Sequence, residues 1–327
     1  MPDLKTKYMG LELRNPLMVA SCGLSGTLDG IIQAADSGAG AVVLKSIFEE
    51  QIDVEVDDLT QNTWLPGHPE AVDYLRQTGY ALGPNKYLDF ITESKKAVPI
   101  PVFASLNCVS PRWWVDYARK IEDAGADGLE LNISVRPSDP KRTAREVEKI
   151  YFDIIESVKP KIKIPVAVKI GPYFTSLGNI AKELANRGAD AIVLFNRFYK
   201  LDIDIDKMQL KPGYPFSNPE EIERTLRWVA LLAGRINADI AASTGIHDAT
   251  GVVKQLLAGA SVVEMCSALY KQGISFLRNV IEGLEEWMKR HNFSKVEEFR
   301  GRLSQEESDN PELYERLQYI KAVVGIE

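Results

Sequence analysis

The chain has 327 residues, of which 45% are hydrophobic and 26% are charged, a composition that excludes collagen-like, low-complexity and disordered proteins. Lysine and arginine total 39 against 46 acidic residues, and the net charge of −7 argues against nucleic acid as a partner. No stretch approaches about 18 consecutive apolar residues, so we expect no membrane span. The N-terminus lacks a signal-peptide core, and Cys22, Cys108 and Cys266 form no CxxC pair, so we expect reduced thiols and a cytoplasmic location.

A short phrase recurs along the chain, in which a small-Gly-Ala turn precedes a buried, often β-branched run. The four turns are Ser37–Gly40, Ala124–Asp127, Arg187–Asp190 and Ala258–Ala260. Glycine suits the left-handed residue that ends a helix, and a short apolar run is typical of a buried parallel strand. A segment with helical periodicity comes before each turn. The phrase therefore predicts a repeated unit of helix, glycine turn and parallel strand.

Four further strands without the glycine turn complete a set of eight. The predicted strands lie near 17–22, 41–46, 102–107, 128–134, 166–170, 191–196, 239–244 and 261–266. The predicted helices lie near 27–38, 86–97, 111–124, 142–159, 175–187, 219–235, 247–258 and 275–290. Eight βα units predict an α/β fold, a (β/α)8 TIM barrel formed by residues 1–327 as a single domain. A doubly wound sheet is the alternative.

Two connections are too long to be plain loops, one from Phe48 to Lys86 and the other from Arg197 to Pro219. Both follow the carboxyl ends of strands, where barrel enzymes build their active sites, so we interpret them as lids. The alternating segment 202–206 in the second connection is compatible with an extra strand. The segment 8–13 predicts a small hairpin that closes the opposite mouth of the barrel.

The residues that end the predicted strands are polar, small and rich in amides. Two lysines, Lys45 and Lys169, end strands two and five and point inward in this arrangement. A buried ammonium group requires an anion or a set of acceptors. A structural salt bridge is the alternative explanation for such a lysine.

The ends of strands seven and eight indicate a phosphate site. Ser243, Thr244 and Gly245 end the seventh strand, and Cys266 and Ser267 end the eighth. Barrels commonly bind phosphate at this position through backbone N–H groups, and the hydroxyl groups add donors. Glycine at 245 would let the phosphate approach the backbone. The predicted pocket therefore holds a phosphate group and a polar, planar body.

These residues resemble the dihydroorotate dehydrogenase family of FMN-dependent (β/α)8 barrels, in its soluble, class 1-like members. The likeness runs through nearly the whole chain, in matching order. The segments that carry it are 9–17, 20–23, 45–46, 131–134, 168–173, Asn196, 256–260, 267–273, 284–288 and 299–303. The resemblance implies oxidation of dihydroorotate to orotate, a CH–CH oxidation of pyrimidine biosynthesis, and a possible homodimer.

The resemblance also implies a role for each matching residue. The implied FMN-binding residues are Ala20, Ser21, Lys45, Ser46, Asn132, Lys169, Ser243, Thr244, Gly245, Cys266 and Ser267. Lys169 would place its charge beside the flavin N1–C2 carbonyl and stabilise the anionic reduced ring. The implied substrate-binding residues are Lys45, Asn132 and Asn196, with the lysine near the substrate carboxylate.

One departure concerns the catalytic base. The family carries Asn-x-Ser-Cys-Pro-Asn, or Ser in place of Cys, after strand four, whereas this chain continues from Ser134 with Val135, Arg136 and Pro137. Valine cannot accept a proton, so the usual base is absent at 135. The catalytic candidates are therefore Lys45, Ser134 and Lys169, with Cys108 as a further substitute base. Arg136 adds a permanent cation that suits an acidic substrate.

Three alternatives stay open at this point. The first is an FMN oxidoreductase of the same family that acts on another small acidic substrate. The second is a lyase or aldolase that forms a Schiff base on Lys45 or Lys169. The third is a flavin-binding barrel without catalysis. The histidines His68, His247 and His291 are dispersed and show no metal-ligand spacing, so we expect no metal site.

Overall fold

The structure, a computed structural model, describes residues 1–49, 51, 84–107, 111–135, 138–197, 201–213, 216–314, 320 and 323–324. Its strands, in chain order, are β1 (Thr6–Tyr8), β2 (Leu11–Leu13), β3 (Leu17–Val19), β4 (Ala41–Val43), β5 (Ile47–Phe48), β6 (Val102–Asn107), β7 (Gly128–Asn132), β8 (Val166–Ile170), β9 (Ala191–Leu194), β10 (Leu201–Asp204), β11 (Gln209–Pro212), β12 (Asp239–Ser243) and β13 (Val262–Met265). The predicted strand positions are confirmed.

Helices alternate with these strands. The α-helices are α1 (Leu28–Asp36), α2 (Pro84–Ala97), α3 (Pro111–Asp123), α4 (Ala144–Val158), α5 (Leu177–Asn186), α6 (Ile222–Leu232), α7 (Ala249–Ala258), α8 (Ser267–Gln272) and α9 (Phe276–Arg290). Short 3₁₀ turns lie at Gly23–Ser25, Lys159–Lys161, Pro219–Glu221, Val296–Glu298 and Pro311–Tyr314. One glycine in each of the four predicted turns has positive φ: Gly38 before β4, Gly125 before β7, Gly188 before β9 and Gly259 before β13.

The parallel strands close into a barrel. Going around the ring, β3 pairs with β4, β4 with β6, and the order continues through β7, β8, β9, β12 and β13. The ring closes because β13 pairs with β3, with Met265 opposite Val19. The predicted (β/α)8 barrel is confirmed, and the doubly wound alternative is wrong because an open sheet lacks this last pairing. Among the described residues, we find no helix with the length and apolar character needed to cross a bilayer.

The lower half of the barrel interior is apolar. One cluster of buried residues joins the hairpin β1–β2 to the inward face of the barrel strands: Tyr8, Met9, Leu13, Met18, Ala41, Val43, Phe103, Ala167, Ala191, Val193, Ala241 and Val262. The Tyr8 and Phe103 rings meet edge to face with centroids 5.8 Å apart. The Met9 N–H donates to Asp239 Oδ2 at 2.7 Å, and Thr6 Oγ1 donates to the Ser261 carbonyl at 3.1 Å. Since Asp239 and Ser261 lie at the amino ends of strands, the predicted closure of this mouth is confirmed.

A second hairpin extends from the opposite mouth. Strands β10 and β11 pair antiparallel after β9, so the predicted extra strand in this connection is confirmed. Leu201, at the start of β10, lines a cavity at the carboxyl ends of the barrel strands, which supports the interpretation as a lid. Most of the other extended connection, residues 50 and 52–83, lies outside the described residues.

Asp239 provides a test of the hairpin closure. Its carboxylate accepts from the Met9 N–H and from Ser261 Oγ at 2.8 Å, and Asp239→Ala removes both bonds. We expect the free energy of unfolding to fall by about 2–3 kcal/mol, the scale of hydrogen bonds to a charged group. Urea unfolding measures the change. The exposed Asp206→Ala is the control, and an equal, small loss in both variants would contradict this account of the closure.

Candidate active site

A cavity of about 160 Å³ lies at the carboxyl ends of the barrel strands. It brings together nine of the residues that the sequence predicts for the site: Ala20, Ser21, Lys169, Asn196, Ser243, Thr244, Gly245, Cys266 and Ser267. Five further residues line it without having been predicted: Phe195, Arg197, Ser217, Ile246 and Glu264. The ends of five strands therefore converge on one pocket.

A larger cavity of about 910 Å³ adjoins the first beside α6. The two share Phe195, Asn196, Arg197 and Thr244. Arg197 Nε donates to Glu221 Oε2 at 3.0 Å, so a partly buried ion pair lies where the two cavities meet. A pocket of this combined size is ordinary for a small organic ligand or a mononucleotide.

Lys169 lies inside the barrel between two carboxylates. Its Nζ donates to Glu264 Oε2 at 2.7 Å and lies 3.6 Å from Glu130 Oε1. Lys169 is 6% exposed, and both glutamates are 2% exposed. Burial disfavours its charge, but the two carboxylates more than offset burial and raise the pKa of Lys169 above its ordinary value. The salt bridge that the sequence left as an alternative for this lysine is present.

The carboxyl group of Glu130 has a raised pKa, which favours its protonated form. Burial first, and then the neighbouring Glu264, raise the pKa of Glu130 to about 8, against the opposing effect of Lys169. Glu264 Oε1 is buried, and no hydrogen-bond partner for it is present among the described residues. Glu264 also lines the cavity, so the ion cluster forms part of the cavity wall.

Three serine hydroxyls connect the cavity to this cluster. Ser21 Oγ lies 3.0 Å from Ser46 Oγ, and Ser46 Oγ lies 2.8 Å from Ser105 Oγ. Ser105 Oγ donates to Glu130 Oε1 at 3.2 Å. Ser21 lines the cavity, whereas Ser105 is completely buried. A continuous chain of hydrogen bonds therefore runs from the cavity wall to a buried carboxyl group.

The predicted phosphate site contains a set of donors gathered around Ser217. The Ser217 N–H donates to Ser267 Oγ at 2.9 Å, and the Gly245 N–H donates to Ser217 Oγ at 3.4 Å. Lys271 Nζ donates to the Ser217 carbonyl at 3.1 Å, and His247 Nε2 lies 3.1 Å from Ser217 Oγ. A cation, two hydroxyl groups and backbone N–H groups are the partners that a phosphate monoester takes. The residues present therefore fit the phosphate of a mononucleotide.

The structure explains the glycine at 245 by chain packing, whereas the sequence analysis explained it by the approach of a phosphate. Its φ is +81°, and a Cβ added there would lie 2.2 Å from the Ile222 backbone nitrogen. The missing side chain therefore makes room for the start of α6, and a substitution at 245 would disturb the fold before it tested any ligand. The binding of phosphate at Gly245 stays a prediction.

The amide residues predicted for substrate lie together. Asn196 Nδ2 donates to Asn132 Oδ1 at 2.6 Å and links the ends of β7 and β9, the two strands that flank β8. Ser46 follows β4 and joins the site through Ser21, and the neighbouring Lys45 is half-buried. Burial lowers the pKa of Lys45, and the thiol of Cys22 partly offsets this effect.

The segment that should supply the base lies beyond β7. Ser134 is half-buried and does not line the described cavities. Val135 is also half-buried and packs against the main apolar core. Arg136 and Cys108 lie outside the described residues. The structure therefore brings most predicted cofactor residues together but leaves the base unassigned.

Two thiols meet at the ends of β3 and β13. A hydrogen bond from Cys266 is the main cause that lowers the pKa of Cys22 to about 6, and the same contact raises the pKa of Cys266. The Tyr270 hydroxyl lies beside Gly23, the residue after Cys22, and occupies the space that a side chain at Gly23 would need. Burial raises the pKa of Tyr270 to about 12, so this phenol stays protonated near neutral pH.

The site residues that the sequence analysis missed include four polar ones, namely Ser105, Glu130, Ser217 and Glu264. Glu130 and Glu264 carried a signal, because a single acid inside a short apolar strand must face a partner. Ser105 and Ser217 carried none, since serine is common both in strands and in loops.

Comparison with known proteins gives the family. A sequence profile described as dihydroorotate dehydrogenase matches residues 72–288. The catalytic subunit of dihydroorotate dehydrogenase B (NAD(+)) from Thermoplasma acidophilum is 31% identical over 311 residues, which cover 92% of this chain and 99% of that relative. This chain belongs to the dihydroorotate dehydrogenase family. The corresponding subunit from Methanothermobacter thermautotrophicus is 27% identical over 91% of this chain and 97% of the relative. Chloroplastic dihydropyrimidine dehydrogenase (NADP(+)) from Arabidopsis thaliana is 23% identical over 96% of this chain and 80% of the relative.

Membership of the dihydroorotate dehydrogenase family confirms part of the sequence interpretation. Enzymes of this family are oxidoreductases that act on CH–CH donors, and they are flavoproteins. The predicted class of enzyme is therefore confirmed, together with the resemblance on which it rested.

The buried Glu130 makes stability depend on pH. Folded Glu130 keeps its proton up to about pH 8, whereas unfolded glutamate loses it near about 4.3, so the folded state binds more protons between these values. The free energy of unfolding should therefore fall with rising pH, by up to about 1.4 kcal/mol per pH unit. Glu130→Gln should remove this slope in urea unfolding measured from pH 5 to 8. Cys22 and His247, whose pKa values are also shifted, are present in both proteins and cancel. Parallel pH profiles would contradict the assignment.

Proposed function

We propose that this chain is an FMN-dependent oxidoreductase that converts dihydroorotate to orotate, with proton removal that does not use the family's usual base. The observation that carries the proposal is the cavity at the strand ends, which joins Lys169 to the donor cluster around Ser217 and Ser267. That arrangement suits a phosphate at one end and a polar ring at the other.

The residues that would hold FMN fall into two groups. Ser243, Thr244, Gly245, Cys266 and Ser267 would bind the phosphate side. The ring side would be held by Ala20, Ser21, Lys45, Ser46, Asn132 and Lys169. FMN, when bound, would serve as the acceptor of a hydride from a carbon atom of the substrate.

Lys169 would act on the ring as an ammonium group whose charge is partly balanced by the neighbouring glutamates. Glu264 already bonds its Nζ at 2.7 Å, so the ammonium group can offer the ring only its remaining N–H groups. The field of the cluster at the ring is therefore weaker than that of an isolated lysine. The structure supports a role in orienting the ring's polar edge as well as in balancing its charge.

Substrate would bind on the amide side of the pocket. Asn132 and Asn196 are already in contact and present amide donors and acceptors that match the edge of a pyrimidine. Lys45 would bind the substrate carboxylate, and Arg136 would add to the positive charge. These assignments rest on the family resemblance and on the position of the asparagines.

The removal of the substrate's proton is where this chain departs from its family. Val135 offers no acceptor and packs against the apolar core. Ser134 is the adjacent hydroxyl, and it would need a partner to take its proton. We therefore expect a slow proton transfer if nothing replaces the base.

One alternative keeps a specific observation in its favour. A Schiff-base lysine needs a lowered pKa, whereas Glu130 and Glu264 raise the pKa of Lys169. Lys45 differs, because burial lowers its pKa. The lyase alternative thus rests on Lys45, and the colour of the purified protein distinguishes it from a flavoprotein.

The proposal extends to location and assembly. We propose a cytoplasmic protein that forms a homodimer, as the resemblance implies. The two archaeal relatives cited above are named as catalytic subunits of an NAD(+) enzyme, and the same electron acceptor is proposed for this chain.

Flavin binding is the first test. The purified protein should be yellow and release FMN rather than FAD, because the donor cluster suits one phosphate. Ser267→Ala should weaken FMN binding by about 1 kcal/mol, or roughly fivefold, since it removes one hydrogen-bonding hydroxyl. Fluorescence titration of apoprotein measures this change, with the exposed Ser275→Ala as the control. A protein that stays colourless with added FMN would refute the cofactor assignment.

The missing base is tested by restoring it. If no other group of the chain replaces the base, Val135→Cys should accelerate reduction of the flavin by dihydroorotate, because a positioned base contributes about 10²–10⁴-fold. The gain should rise with pH as the new thiol ionises. Stopped-flow absorbance measures the rate, and Val135→Ala, which adds no base, is the control. Fast turnover by the wild-type protein, unchanged in Val135→Cys, would show that another group already removes the proton.

A further inference from the structure

The chain of hydroxyl groups below the cavity has two different ends. Ser21 is half-buried and lines the cavity, whereas Glu130 is 2% exposed and lies in the closed interior. Between them stand Ser46 and Ser105, which are 7% and 0% exposed. The row of hydroxyl groups therefore runs from a cavity that a ligand can enter to a carboxyl group that bulk water does not reach.

Each link allows a proton to pass in either direction. A hydroxyl group both donates and accepts, and either oxygen can be the donor in the Ser21–Ser46 and Ser46–Ser105 contacts. The Ser46 N–H donates to Ser21 Oγ at 2.9 Å and fixes the first link. The Ser105 N–H donates to the Tyr87 hydroxyl at 3.0 Å and fixes the backbone of the third serine. The row of hydroxyl groups is thus held in place by backbone hydrogen bonds that do not take part in the proton transfer.

The inner end holds one exchangeable proton. Glu130 faces Lys169 of β8, Glu264 of β13 and Ser105 of β6. Tyr8 of β1 lies near Glu130, and the charge of Asp239 of β12 acts on the Tyr8 hydroxyl. One ammonium group balances one of two carboxylates, so the second carboxyl is more stable in this dry setting as an acid. Burial raises the pKa of Glu130 to about 8, which makes it both a donor and an acceptor near neutral pH. Tyr8, whose pKa burial raises further, does not titrate in this range.

We propose that Ser21, Ser46 and Ser105 relay a proton between the active-site cavity and the carboxyl group of Glu130. The proposal rests on the proposed function for the origin of that proton. When a CH–CH bond becomes C=C, one carbon gives a hydride to the cofactor and the other gives a proton to the base. In the relay, the proton enters at Ser21 Oγ, each hydroxyl passes its own proton inward, and the Glu130 carboxylate becomes a carboxylic acid. No electrons move along the chain.

The relay supplies what the segment beyond β7 lacks. Val135 cannot accept a proton, and Ser134 does not line the described cavities. Ser21 lies on the cavity wall and, through two further hydroxyls, is connected to an acceptor whose pKa is near 8. The Ser21 side of the pocket, rather than the 135 side, is therefore where the proton leaves. Glu130 is a positioning residue for this transfer, because it acts through the serines.

Proton exchange at Glu130 tests the relay without flavin or substrate. At pH 6 the purified protein should show an infrared carbonyl band of a buried carboxylic acid, which Glu130→Gln should remove. After rapid mixing into D₂O, the band should shift at least about tenfold more slowly in Ser46→Ala than in the wild type, because exchange then needs local opening. Ser94→Ala, a buried serine of α2 bonded only within its helix, is the control and should exchange like the wild type. Equal exchange in Ser46→Ala, or a band that survives Glu130→Gln, would overturn the proposal.

A second variant and a second readout keep the test decisive. Ser21→Ala breaks the first link at the half-buried cavity wall, where a small change is tolerated, and should slow exchange as Ser46→Ala does. In protein that holds FMN, both variants should lower the rate of flavin reduction by dihydroorotate by about 10²-fold and flatten its rise between pH 7 and 9. A pH profile with the wild-type shape in both variants would overturn the relay. A protein that binds no FMN would refute the proposed function alone, because the infrared result does not depend on it.

Discussion

The site is organised around a single buried ion cluster, in which Lys169 is held between Glu130 and Glu264 inside the barrel. Isolated charges in such a place would cost several kcal/mol each, and the cluster is stable because the three groups satisfy one another. Its members come from β7, β8 and β13, so the cluster ties together strands on opposite sides of the ring. Below it the interior is apolar, and above it lies the cavity. The cluster is thus the boundary between the part of the barrel that stabilises the fold and the part that binds.

This boundary also decides what kind of chemistry the cavity supports. The cluster of one lysine and two glutamates has little net positive charge. The cavity floor therefore offers hydrogen bonds and one exchangeable proton rather than a strong cation. The opposite end, near Lys271 and His247, keeps the donors that suit an anion. A ligand with a phosphate at one end and a polar ring at the other matches this division. The loss of the family's base at 135 is then compatible with catalysis, since a protonatable group remains on another wall.

The sequence predicted the architecture well for a physical reason. Helix, glycine turn and buried strand are local patterns, and each of the four turn glycines has the positive φ that its place at the end of a helix requires. Strand-end residues could be listed because parallel strands in a barrel end on one face. The partners of Lys169 could not be predicted, because Glu264 lies 95 residues away and meets it only through the register of the closed ring. The close approach of Ile222 to Gly245 likewise depends on tertiary packing.

The hairpin at the N-terminus has a consequence for how the chain is made. Its bonding partners, Asp239 and Ser261, lie in the last third of the sequence, and Asp3 pairs still further on with Lys295. During synthesis, the apolar residues of this hairpin therefore stay uncovered until the segments that contain Asp239 and Ser261 have emerged from the ribosome. Contacts that span nearly the full sequence slow the final step of folding. Until then the nascent chain exposes Tyr8, Met9 and Leu13, which form one apolar surface of the kind that chaperones bind.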